Sequence, residues 1–244
     1  MERRRPHNES RSMPLLLWPG LAADHRLFSP LIDHAPSITV PPFIEPRWNE
    51  SLRSYAARYA EQFGPQLPPD GTYAVGGFSF GGQLATELAA VLRPKPRGIV
   101  LICGVRGTHQ IAAAFRRQQR LGAVIPAAIA RRLYVPVARR FARSDRLDAL
   151  GTERLVAMAR DIDPAFLRWS SHACATWPGS PPGLDVPIRH LHGEHDSIIP
   201  DVRNEADTVV RSARHLVVLT HAPEVAAFVN SSLTAFQQEN QSQN

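Results

Sequence analysis

The chain has 244 residues, 43% of them hydrophobic and 20% charged, which suits one large α/β domain or two small ones and excludes a disordered polymer. Its formal charge is +6, carried by arginine clusters at 3–5, 116–120, 131–132 and 139–146; no RNA-binding or helix-turn-helix pattern accompanies them, so they read as solvated helix faces and nucleic acid is not expected as a partner. Cys103 and Cys174 lack any paired spacing, which excludes a disulfide framework or zinc motif and suits a reducing, cytoplasmic setting.

Residues 1–12, "MERRRPHNESRS", read as a flexible basic arm. The apolar run behind it contains Pro14, Pro19 and Gly20, so it is too broken for a signal sequence and too short for a membrane span. "PLLLW" (14–18) is a buried strand stopped by Pro19-Gly20, and "SITVPPF" (37–43) is a second, ended by prolines. Residues 49–63 place Leu52, Tyr55, Ala56, Tyr59 and Phe63 on one helical face, with Asn49 as N-cap. "GTYAVGGF" (71–78) is a third strand, followed by a helix over 80–92 that closes at Pro94. "RGIVLICG" (97–104), "VPIRHLHG" (186–193) and "ADTVVRS" (206–212) supply three more strands, and 224–236 a closing helix before a polar tail, 238–244.

Continuous apolar strands alternating with helices predict an α/β fold: a mostly parallel sheet of about six strands with helices on both faces. Residues 105–185 interrupt the alternation, being helical and arginine-rich. An insertion there lies over the C-terminal ends of the strands, where ligands bind in open sheets, so it reads as a helical cap. The core is then 13–104 together with 186–237.

"GGFSFGG" (76–82) falls at the junction of the third strand and its helix. A serine on so sharp a turn is lifted above the sheet edge, and side chains two residues to either side would collide, which explains Gly77 and Gly81. Ser79 is therefore the candidate nucleophile, and it needs a base and an acid to orient that base. Asp196, in the loop after the fifth strand, is the preferred acid over Glu194 and Asp201. His215, soon after the sixth strand, is preferred as base over His221, which immediately precedes the last helix. Two backbone donors are expected for a developing oxyanion: Phe80 N–H, and Leu21 N–H in the loop opened by Gly20.

Four stretches, "LLLWPGLAADHRLF", "GGFSFGG", "LHGEHDSIIP" and "ARHLVVLTHAPEVAAFV", together resemble the α/β-hydrolase superfamily. The first resembles its oxyanion loop, the third its H-G-x-x-D acid loop and the fourth its base loop, although Arg214 stands where glycine is usual and Ala222 lengthens the run to Pro223. The resemblance implies a serine triad and a sheet that starts near the family's third strand. The function expected is hydrolysis of a small-molecule ester or thioester through an acyl-enzyme, with no cofactor and no metal. Acyl transfer and carbon–carbon bond hydrolysis use the same parts, and a non-catalytic ligand-binding protein on this fold is the alternative from another class. His190, His192 and His195 form a weaker metal candidate, and Asp24, His25 and Arg26 a candidate pocket lining or helix cap. Trp169 and Trp177 are expected either to wall an acyl pocket or to pack the cap on the core.

Overall fold

The computed structural model describes residues 13–122, 127–202 and 205–241; the basic arm and the last three residues of the tail lie outside them. Six strands form one sheet in the order β2-β1-β3-β4-β5-β6, every neighbouring pair parallel. They are β1 (Leu15–Trp18), β2 (Ile38–Thr39), β3 (Ala74–Phe78), β4 (Ile99–Ile102), β5 (Ile188–Gly193) and β6 (Thr208–Val210). Central β3 and β4 are buried along their whole length, as apolar runs covered on both faces must be.

Parallel neighbours need crossovers, and helices provide them. A single turn, α1 (Ser29–Ile32), follows β1; α2 (Leu52–Phe63) lies between β2 and β3, and α3 (Phe80–Val91) between β3 and β4. Four helices separate β4 from β5: α4 (Ala113–Gly122), α5 (Ala127–Ser144), α6 (Ala149–Asp161) and α7 (Pro164–Thr176). The chain ends with α8 (Val217–Thr220) and α9 (Ala222–Gln241). The core has two parts. One joins Trp18 and Leu101 to α2, α3 and the α7 residues Phe166 and Trp169. The other joins Leu17 and Val100 to α9, α5 and α6. Among the described residues no helix is long and apolar enough to cross a membrane.

Three local expectations need correction. The second strand shrinks to two residues, because Pro41 and Pro42 have no N–H to give to a ladder. Asn49 does not cap α2: it sits at φ +53°, and Ser51 Oγ accepts from Ser54 N–H as the actual N-cap. The closing helix runs on to Gln241, so the first residues of the expected polar tail are helical.

In the β4–β5 segment, Asp148 and Asp163 cap α6 and α7 through their side chains. The aromatics turn inward: Phe166, Trp169 and Trp177 are buried and Phe141 is half-buried, whereas Arg117, Arg120, Arg131 and Arg132 are exposed.

Candidate active site

β3 ends at Phe78 and α3 begins at Phe80, so Ser79 alone makes the turn. It does so at φ +52°, ψ −117°, a strained backbone for a non-glycine residue, held by its N–H donating to Ile102 O at 3.0 Å. Its glycine neighbours are a steric necessity. A Cβ on Gly77 would lie 2.0 Å from the carbonyl carbon of Gly81, and one on Gly81 would lie 2.0 Å from Trp18 O. The loop after β1 is thereby pressed against the start of α3, and a Cβ on Gly20 would come within 3.3 Å of Ser79 Cβ. Leu21 follows in that loop, and Phe80 N–H, first in α3, has no intrahelical acceptor.

Asp196 and His215 converge on this serine from two other loops. His215 Nε2 lies 3.1 Å from Ser79 Oγ, and His215 Nδ1 lies 2.7 Å from Asp196 Oδ2. Asp196 Oδ1 accepts from Ile198 and Ile199 N–H at 2.8 and 3.0 Å, which fixes the carboxylate and leaves Oδ2 for the imidazole. Burial pushes Asp196 up, but the charge and hydrogen bond of His215 outweigh it and hold the carboxyl at about 2. An ionised carboxylate only accepts, so Nδ1 carries the proton and Nε2 is free to accept from the Ser79 hydroxyl. Burial alone would lower His215; the Asp196 carboxylate, its hydrogen bond and a second carboxylate, Asp145, override it and raise the imidazole. Ser79 is half-buried between buried neighbours and so remains reachable.

No family model matches the chain, and no curated protein matches its sequence. Solved structures do match its shape. A thermophilic esterase from Thermogutta terrifontis superposes with TM-score 0.67 at 18% identity, over 92% of this chain and 90% of its own. MenH from S. aureus gives 0.72 at 13%, over 94% and 96%. The RedJ thioesterase of the prodiginine pathway in Streptomyces coelicolor gives 0.58 at 19%, over 95% and 96%. The chain has the α/β-hydrolase fold.

Within that fold the other candidates fall elsewhere. His221 is the residue after α8, its Nδ1 2.8 Å from Thr220 Oγ1 and away from Ser79. Glu194 accepts from Ser212 N–H, and the side chain of Asp201 lies outside the described residues. His190 and His192 are buried on β5, but His195 is turned out beside Glu194, so the three do not gather. Cys103, His192 and Asp196 do lie within 4.8 Å of one another; Asp196 is the residue that holds His215. Asp24 caps the turn His25–Phe28 and pairs with Arg26, which also reaches Asp161 on α6 at 2.8 Å. Trp177 Nε1 donates to buried Glu87, and Trp169 Nε1 to Glu50 O, so both tryptophans tie α7 to the core.

Two neighbours of the site come from the end of α5, Asp145 with no local signal in the sequence and Phe141 as one of the inward-turning aromatics of that segment. Asp145, just after α5, is buried and accepts from Leu216 N–H, directly after His215. Phe141, one turn earlier, sets its ring 6.1 Å from the imidazole, and Phe78 sets its own at 5.1 Å. On the other side, Phe80 adjoins an aromatic group of Phe43, Phe166 and Trp169, with centroids 4.7–6.4 Å apart. Two surface cavities of about 310 and 300 Å³ are lined by other residues and not by Ser79.

Proposed function

We propose that this chain is a serine hydrolase that cleaves a small-molecule ester or thioester through an acyl-enzyme. The continuous line Ser79 Oγ–His215 Nε2 and His215 Nδ1–Asp196 Oδ2 carries the reading. Ser79 Oγ attacks the carbonyl carbon while its proton passes to His215 Nε2, and Asp196 stabilises the imidazolium. Leu21 and Phe80 N–H groups hold the oxyanion. Collapse returns the proton to the departing alcohol or thiol and leaves Ser79 acylated. Water then repeats the sequence and releases the acid, and no cofactor is required.

The helices of residues 105–185 act as the cap, and the Phe43, Phe80, Phe166 and Trp169 group beside the nucleophile favours an apolar acyl or aryl group. Esterase and thioesterase structures among the neighbours support both leaving-group classes. Free, buried Cys103 and Cys174 support the reducing, cytoplasmic setting. A panel of p-nitrophenyl and thiol esters of increasing acyl length tests the reading. Turnover is expected with a pre-steady-state burst of alcohol or thiol release; no turnover across the panel, with Ser79 intact, contradicts it.

A further inference from the structure

Residues 106 to 146 contain ten arginines and one acid, Asp145: a formal +9 within a chain of +6, which leaves −3 for everything else. Asp145 is buried against Leu216 N–H, so it does not offset that charge at the surface. Among the described residues, no arginine of α4 or α5 enters a salt bridge.

The outer face of α5 is more than a charged face. Ile129, Leu133 and Val137, spaced four apart, are 53%, 44% and 50% exposed and form one line along the helix. Arg132, Arg139, Arg140 and Arg143 are exposed beside them, whereas Ala138, Ala142 and Asp145 on the opposite side are buried. A face meant only for water gains nothing from three large aliphatic side chains at this spacing.

The occupant must therefore be anionic outside and apolar beneath. Duplex nucleic acid matches the charge but leaves the aliphatic line in water. A protein would need an acidic groove cut to a convex ridge, and the ridge presents no tryptophan or tyrosine to anchor in one. A leaflet of anionic lipid meets both needs without shape matching: phosphates for the guanidinium groups, hydrocarbon just below for the aliphatics. We propose that the outer face of α5 docks the protein on an anionic membrane surface, Ile129, Leu133 and Val137 entering the headgroup boundary between the arginines. The inner side of the same helix carries Phe141, whose ring lies 6.1 Å from that of His215, so docking sets the candidate site one helix away from the lipid surface. The proposal does not depend on which reaction Ser79 performs.

Vesicle co-sedimentation of the full chain tests it, using phosphatidylcholine alone and with about one third phosphatidylglycerol, at low and high salt. Three variants discriminate: Ile129→Gln with Leu133→Gln and Val137→Gln; Arg132→Gln with Arg139→Gln and Arg140→Gln; and, for the arm, Arg3→Gln with Arg4→Gln and Arg5→Gln. Circular dichroism and turnover of a soluble ester are expected to match the parent in all three. The parent should bind anionic vesicles, release them at high salt and ignore neutral ones. Each α5 variant should bind at least tenfold more weakly, the arginine variant because each charge near the surface is worth roughly fivefold and the aliphatic variant because three apolar side chains no longer enter the headgroup boundary, and the arm variant should bind like the parent. Equal binding to neutral vesicles, undiminished binding by either α5 variant, or loss only in the arm variant overturns the proposal. So does a parent that binds duplex DNA but no vesicle.

Discussion

Ser79 holds a backbone conformation that costs roughly 1–3 kcal/mol for a residue with a side chain, and its surroundings enforce it. The N–H is tied to β4, glycines stand two residues to either side, and the β1 loop leaves no room for a relaxed turn. The same crowding sets Oγ at His215. Two histidines compete in the sequence, and they differ in reach: His215 touches both Ser79 and Asp196, whereas His221 contacts Thr220. His215→Ala should reduce turnover by about a thousandfold or more, and His221→Ala by less than about tenfold, measured as kcat on one ester. The reverse ranking would move the base to His221. The convergence of Ser79, Asp196 and His215 was legible in the sequence because each sits in a loop whose neighbours announce it: paired glycines, a strand end with His192-Gly193, and a turn after an apolar run. Asp145 was not legible. It lies between arginines, 71 positions before its partner Leu216, and reads as a surface acid until the fold buries it.

At the scale of elements, the end of α5 decides how His215 is held. Phe141 packs on the imidazole and Asp145 accepts from the adjoining backbone, so the β4–β5 segment and the loop of His215 meet at this point. Asp145 is also one of the carboxylates that raise His215. A base must be neutral to accept a proton, so kcat/KM should rise with pH through a value above the ordinary histidine pKa of about 6.5. Asp145→Asn keeps an oxygen for Leu216 N–H and removes a negative charge, and should shift that limb to lower pH. A limb unmoved by the change would mean that Asp145 does not act on His215 electrostatically. Asp145→Ala removes the acceptor as well, and the stranded buried N–H should cost about 1–3 kcal/mol of stability by denaturant titration. Misreadings of elements were local: Asn49 and Ser51 are both good caps by composition, and only the left-handed turn at Asn49 separates them. The short β2 followed from Pro41 and Pro42, which were visible as a stop but not as a limit on pairing.

At the scale of the whole molecule, the parallel sheet was legible because its central strands β1, β3 and β4 are continuous apolar runs, as strands covered on both faces must be, and helical stretches separate them in the order the topology needs. The segment between β4 and β5 was legible as helical, with its arginines in water. Its division into a buried aromatic side and an arginine-rich outer side becomes definite once the helices pack, since adjacent arginines on a helix fall on different faces. The account of function still rests on one serine placed on that sheet. A fluorophosphonate probe followed by peptide mass spectrometry examines it directly. The account predicts one covalent adduct per chain, on Ser79, absent from Ser79→Ala and strongly slowed in His215→Ala. An adduct on another residue, or labelling of Ser79→Ala at the parent rate, would contradict it.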